Sequence, residues 1–368
     1  MTDAHGGNLT RLVQCAGRPA AELLDFSANI NPLGPPACVR DALAGAAAWL
    51  AHYPDPDSAE LTAAIAEHLE IAPERIVPGN GSEQLIWWLP RLLGARRVVL
   101  PSPCYLDYGR SAEVWGVVVH RIVLERRRDF ALEPEELVTA LHAGDLVWIG
   151  QPANPTGRLA DPDRLRAAIA ATPDLHWAID EAFIDFIPDM PSAVHWDLPN
   201  LAVLRSMTKF YAVPALRLGY AVLPAARAAA LRRLLPDWSV STFAQGVGRA
   251  VLRDPGLADY AARTRRLVGG EREWLTRHLR GLGVHVIDGA ANYLLLRLPA
   301  GMPPAAALAR RLLTVDGIAV RVCTNYDGLD ERDLRVAVRR RGDNERLVAA
   351  LIAALASTGA EGCREPPA

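Results

Sequence analysis

Lysine is almost missing from this chain of 368 residues: Lys209 is the only one among 40 basic residues, the rest being arginine. Cysteine is also scarce. Cys15, Cys38, Cys104, Cys323 and Cys363 are scattered, odd in number and never in a CxxC spacing, which argues against a disulfide framework and against a zinc site. Reduced thiols in a cytoplasmic protein are the expectation. Half of the residues are apolar, yet no uninterrupted apolar run is long enough to cross a bilayer. The start, Met1 to Asn8, has neither the basic segment nor the apolar stretch of a secretion signal. A net charge of −2 supplies no strong field for nucleic acid or an anionic membrane, so a small molecule is the expected partner.

What is present is enough chain for two hydrophobic cores. Short β-branched runs at Arg97–Leu100, Val117–Val119, Leu146–Ile149, Trp177–Ile179 and Leu201–Leu204 predict strands covered on both faces. Helical patterns lie between them, at Glu135–His142 and Asp161–Ala171, which predicts an α/β fold with a mostly parallel sheet. The arginine-rich stretch from Asp254 to Gly283 predicts a long helix linking two domains, broken near Gly269 and Gly270. Beyond it, Val284–Ile287, Tyr293–Leu298, Ile318–Val322 and Leu334–Val338 predict strands of a smaller domain, with helices near Ala305–Leu313 and Asn344–Ala356. From Ser357 onward the composition predicts a disordered tail.

The solitary lysine has a chemical reading, because a lysine amine can be freed of its proton and an arginine guanidinium cannot. Chance survival in a lysine-avoiding sequence is the other reading. Around it, Arg205 to Tyr220 follows a predicted strand and sets Ser206, Thr208 and Arg217 near one amine. A phosphorylated aldehyde cofactor needs such an amine, with donors for its phosphate; a strand end followed by a capped helix would use the same hydroxyls. Asp180 ends the buried-type strand Trp177–Ile179, where open sheets place ligand contacts, although a capping aspartate is the plainer account. Asn154 sits in the turn Gln151–Gly157, a possible amide donor to a phenolate or simply a turn residue. Gly81, Ser82 and Glu83 belong to a glycine-bearing turn that opens a helix, a geometry that offers backbone N–H groups to phosphate. Tyr105 suits stacking on a ring or ordinary packing, and His5 and Gly6 reach a site only if the terminus is ordered.

Taken in order, these segments resemble the fold-type I pyridoxal-phosphate enzymes of the aspartate-aminotransferase fold. The likeness covers nearly the whole chain. Within that group, His5–Asn8, Leu24–Gly34, Asp180–Pro188 and Leu204–Tyr211 resemble the threonine-phosphate decarboxylases of cobalamin synthesis, with the histidinol-phosphate aminotransferases next. The resemblance implies an N-terminal arm over 1–36 that joins the small domain, a large cofactor domain over 37–255, a linking helix over 256–283, a small domain over 284–356 and a tail over 357–368. It implies pyridoxal 5'-phosphate bound as a Schiff base to Lys209, with Asp180 on the ring nitrogen, Asn154 on the phenolate oxygen and Tyr105 on the ring face. Gly81, Ser82, Glu83, Ser206, Thr208 and Arg217 would hold the phosphate, and Tyr53 would reach the cofactor of a second subunit in a homodimer. His5, Gly6, Asn29, Asn154, Arg321 and Arg335 would meet a phosphorylated amino acid, and decarboxylation would follow. Phe183 departs from the tyrosine that many aminotransferases carry there, which the decarboxylase resemblance expects, and Ala153 replaces an asparagine. The alternatives are an aminotransferase for a phosphorylated amine and a non-catalytic cofactor-binding module.

Overall fold

The computed structural model describes residues 5–361. Its strands are β1 Leu24–Asp25, β2 Ile76–Asn80, β3 Arg97–Ser102, β4 Val118–Val123, β5 Asp145–Gly150, β6 His176–Asp180, β7 Leu201–Ser206, β8 Leu218–Val222, β9 His285–Val286, β10 Tyr293–Arg297, β11 Ile318–Ala319, β12 Arg321–Val322 and β13 Asp333–Ala337. Seven of them form one sheet in the order β2-β8-β7-β6-β5-β3-β4. The ladders from β4 through β7 are parallel, whereas β8 runs antiparallel to both β7 and β2. This is the mostly parallel α/β sheet that the alternating pattern predicts.

Parallel strands are joined by crossover helices that cover both faces of the sheet. Successive residues of β5 accordingly enter different cores. Leu146 and Trp148 pack with Leu85, Leu89 and Leu204 on one face; Val147 and Ile149 pack with Trp177, Ile179 and Val203 on the other. The run Val117–Val119 does not behave this way. It starts the edge strand β4, and Val118 and Val123 are 65% and 57% exposed. A valine run reads alike in a central and in an edge strand, and only the pairing partner distinguishes them. The sequence pattern also leaves out β2, whose Pro78 and Gly79 read as turn residues; proline is tolerated because β2 is the other edge.

The remaining strands form a four-stranded antiparallel sheet, β12-β13-β10-β9, and a parallel pair, β1-β11. Ile318–Val322, expected as one strand, is therefore split between two sheets. The helix Leu257–Gly281 spans 25 residues without a break, correcting the interruption expected at Gly269 and Gly270. Tyr260, Thr264, Val268, Glu271, Leu275 and Leu279 are buried along it, a spacing that keeps one face pinned. Against that anchorage, a cost of about 1 kcal/mol per glycine does not open the helix. The last helix runs Arg341–Glu361, so the tail expected from Ser357 begins as helix: once formed, a helix extends cheaply. The rest of that expected tail, 362–368, lies outside the described residues. Among the described residues no helix is long and apolar enough to cross a membrane, and no cluster of three or more His, Cys, Asp or Glu side chains is placed to hold a metal ion.

A methyl group added at Gly270 meets nothing within 4 Å. Gly270→Ala is expected to stabilise the protein by up to about 1 kcal/mol, read as a higher denaturation midpoint. A lower midpoint would show that the helix needs a flexible point there.

Candidate active site

Open α/β sheets bind ligands at the carboxyl ends of their parallel strands, and three such ends meet here. Asp180 closes β6, Ser206 closes β7, and Asn154 lies just beyond β5. They border a crevice of about 500 Å³ between the large sheet, the N-terminal segment and the small sheet. Of the candidates named from sequence, His5, Gly6, Asn29, Gly81, Ser82, Glu83, Tyr105, Asn154, Asp180, Ser206, Thr208, Lys209, Arg217, Arg321 and Arg335 all line it. Tyr53 does not. It is 80% exposed and stacks on Trp238 with ring centroids 4.9 Å apart.

Lys209 sits in the single helical turn Met207–Phe210 that follows β7. Its Nζ donates to Thr208 Oγ1 at 2.9 Å. Burial lowers its pKa to about 8, with Arg217 and Arg335 adding to the shift and Asp180 and Glu83 opposing it. Thr208 Oγ1 also lies 2.8 Å from Ser206 Oγ. The Arg217 guanidinium presses on Gly81, where an added Cβ would stand 2.9 Å from Nη2, and Gly219 passes the Ser82 backbone nitrogen so closely that a Cβ would meet it at 2.3 Å. These two glycines let β8 lie against the start of the helix Gly81–Leu92, whose first turn has no side-chain cap among the described residues. Two hydroxyls, a guanidinium and an uncapped helix start form a cradle for a phosphate dianion.

Asp180 accepts from Tyr108 Oη at 2.7 Å and from the Ala182 N–H at 2.9 Å. Burial pushes its carboxyl up, and these two donors together with Lys209 resist the shift. A cationic ring nitrogen in the crevice would remove that penalty. Tyr108 is itself held flat on Trp148, with centroids 4.4 Å apart. Tyr105 donates to Glu83 Oε2 at 2.8 Å, and Glu83 Oε1 accepts from Trp87 Nε1 at 2.7 Å, so the aromatic is fixed at the crevice wall. The residues present thus fit a phosphorylated pyridine aldehyde: an amine, a carboxylate, an aromatic face and a phosphate cradle.

The small sheet contributes the opposite wall. Arg321 and Arg335 are direct cross-strand partners in β12 and β13, and both are buried. Arg335 donates to Asn154 Oδ1 at 2.5 Å and to the Ser27 carbonyl at 2.8 Å, and lies over the Tyr293 ring. Arg321 donates to Asn325 Oδ1 at 2.8 Å and lies over Tyr326. Like charges directly opposite one another destabilise a sheet. Anions between them reverse the sign. Asn29 Oδ1, also buried, finds no donor among the described residues. Phe183 packs edge-on against Tyr293, whose hydroxyl donates to the Ala153 carbonyl, so neither ring offers a hydroxyl to the crevice.

Sequence reasoning missed Tyr108, Ser27, Asp107 and Tyr326. Tyr108 carried a signal, three residues beyond Tyr105 at a helix start. The others carried none, because the contacts that bring them to the crevice, Ser27 with Gly7 and Arg335 and Asp107 with His5, join segments remote in the chain.

A family model described as aminotransferase class I and II matches residues 21–351. The threonine-phosphate decarboxylase of Salmonella typhimurium is 38% identical over 95% of this chain and 95% of its own length. A histidinol-phosphate aminotransferase of Nitratidesulfovibrio vulgaris is 32% identical over 90% of this chain and 88% of its own. The fold is shared with the crystal structure of the histidinol-phosphate aminotransferase of Sinorhizobium meliloti in complex with pyridoxal-5'-phosphate, at a TM-score of 0.86 and 23% identity over 95% of each chain.

With cofactor removed, an amine-reactive probe should label Lys209 half-maximally near pH 8. The solitary lysine makes the modified peptide easy to read by mass spectrometry. Because Asp180 favours the ammonium form, Asp180→Asn should move the midpoint down; a wild-type midpoint near that of an exposed lysine would contradict the described burial.

Proposed function

The chain belongs to the aminotransferase class I and II family, its cofactor is pyridoxal 5'-phosphate, and from that premise we propose that it decarboxylates L-threonine O-3-phosphate. The products are (R)-1-amino-2-propanol O-2-phosphate and carbon dioxide, the former serving as the aminopropanol arm in cobalamin synthesis. The observation that carries this reading is the buried cross-strand pair Arg321 and Arg335, which suits a substrate with two anions, a carboxylate and a phosphate monoester. The 38% identical decarboxylase supports the same choice.

When bound, pyridoxal phosphate supplies an electron sink for the pair left at the α-carbon of an amino acid. The protein's residues set up that chemistry. Ser206, Thr208, Arg217 and the backbone N–H groups of Ser82 and Glu83 would hold the cofactor phosphate beside Gly81, whose own N–H is taken by the Arg217 carbonyl at 2.8 Å, while Tyr105 would lie against the ring. Asp180, steadied by Tyr108 and the Ala182 N–H, would keep a proton on the pyridine nitrogen. Arg335 occupies the oxygen of Asn154, which leaves the Asn154 amide nitrogen as donor to the phenolate oxygen; with Phe183 in place of tyrosine, it would act there without a hydroxyl partner. Arg321 and Arg335, with His5, Gly6 and Asn29, would anchor the two ends of the substrate. Loss of carbon dioxide requires the carboxylate to stand upright on the ring, and binding through the remote phosphate supplies energy for that orientation. Lys209, with its pKa lowered to about 8, would then deliver a proton from Nζ to the α-carbon. Tyr53, exposed beside Trp238, would complete the phosphate site of a second copy in a homodimer.

The second reading is an aminotransferase for histidinol phosphate, favoured by the 32% identical relative. It would use the same residues to break the α-hydrogen bond instead.

Carbon dioxide release from threonine phosphate, measured beside transamination of histidinol phosphate with 2-oxoglutarate, separates the two, and only the first is expected to proceed. Lys209→Ala should lower kcat by at least about a thousandfold, the upper range for loss of one proton-transfer group; substantial residual turnover would refute its role. Arg321→Ala or Arg335→Ala should each raise KM by about tenfold to a hundredfold, as loss of a charged hydrogen bond predicts. An unchanged KM in both would remove the two-anion argument.

A further inference from the structure

The N-terminal arm reaches the crevice from a helix on the protein surface. No residue of its helix Leu9–Ala16 is buried, yet His5, Gly6, Gly7 and Leu9 all line the crevice. One anchor is on the small-sheet side. There the Gly7 N–H donates to Ser27 Oγ at 2.9 Å, and Ser27 Oγ donates in turn to Asp25. Gly6 passes the Ser27 carbonyl so tightly that a Cβ would overlap it, which explains a glycine at that position. The other anchor crosses to the large sheet: His5 Nε2 lies 2.7 Å from Asp107 Oδ2.

Asp107 belongs neither to the phosphate cradle nor to the groups that face the ring. It is 2% exposed, which is costly for a carboxylate unless it is paired. Its partners include His5, Arg110, whose Nη1 sits 2.5 Å from Oδ1, and the Tyr105 hydroxyl. Burial works against its ionisation, but the contacts with His5, Arg110 and the Tyr105 hydroxyl outweigh it and hold the carboxyl below the usual range. The pairing also closes a circuit. Arg110 lies over the Trp87 ring, Trp87 donates to Glu83, Tyr105 donates to Glu83, and the Tyr105 ring lies 5.5 Å from that of His5. The aromatic wall and the arm are thereby parts of one network.

We propose that Asp107 is a positioning residue: by holding His5 it docks the N-terminal arm across the mouth of the crevice and encloses the phosphorylated amino acid. The inference rests on the function proposed above for what is enclosed, but the docking itself does not. Asp107 itself does not line the crevice. It acts through His5, and the interaction is made before the chemical step, so its loss weakens substrate capture more than turnover.

The test uses the holoenzyme. Asp107→Asn should raise KM for threonine phosphate by about tenfold, the lower end for loss of one charge-assisted hydrogen bond, with kcat changed by less than about twofold; His5→Asn, which also removes a side chain placed against the substrate, should raise KM at least as much. The double variant should be no worse than the weaker single one, because both substitutions break the same contact. Hydrogen exchange of the amides in residues 5–16, followed by mass spectrometry without substrate, should be slow in the wild type and fast in both variants, while the bound-cofactor absorption stays unchanged. His5→Asn lies on the arm and leaves the body of the protein intact, so its substrate-free exchange answers the question even if Asp107→Asn folds poorly. Additive effects on KM, or arm exchange that neither substitution accelerates, would overturn the proposal. Failure of wild-type protein to decarboxylate threonine phosphate, with arm exchange still dependent on His5, would instead fault the substrate assignment alone.

Discussion

An amine that must lose its proton near neutral pH has to be dry, and it must also be kept from collapsing onto the nearest carboxylate. Lys209 meets both demands because its surroundings are balanced: Arg217 and Arg335 oppose its charge while Asp180 and Glu83 favour it. Burial decides the balance. The carboxylate beside it is held apart by its own donors, Tyr108 and the Ala182 N–H. That arrangement depends on the parallel order of β5, β6 and β7, which brings Asn154, Asp180 and Ser206 to one rim although they are widely spaced in the chain.

A second constraint is electrostatic and lies in the small sheet. Strand β12 is two residues long, yet its register sets Arg321 opposite Arg335. A sheet gains nothing from such a pair by itself. The arrangement makes sense as a site for anions, and it ties the small sheet to the large one because Arg335 also grips Asn154 and the Ser27 carbonyl. The same Ser27 anchors Gly7. The paired arginines, Asn154 and the N-terminal arm therefore share one set of contacts.

Much of this was legible residue by residue. A lone lysine after a strand, with Ser206, Thr208 and Arg217 spaced around it, points to its chemistry because arginine cannot replace an amine that must deprotonate. The parallel sheet was legible in its central strands, where burial on both faces demands unbroken apolar runs. Legibility failed at the edges, where Val117–Val119 and Ile76–Asn80 owe their state to pairing partners, and at Gly269 and Gly270, where packing along one helix face outweighs local propensity. Tyr108 and Asp107 went unread for a related reason: each matters only through a partner brought close by the fold.

The sequence by itself determined which groups are available: one amine, a strand-ending carboxylate, a glycine turn before a helix, and two arginines on short strands. Their chemistry is intrinsic to the side chains and survives any rearrangement of the chain. The tertiary structure alone decided that burial lowers the amine's pKa to about 8, that the two arginines are cross-strand partners, that the arm is tied to Asp107, and that Tyr53 does not line its own crevice. Desolvation and charge coupling depend on distances between remote segments, and those distances exist only once the two sheets have closed on each other.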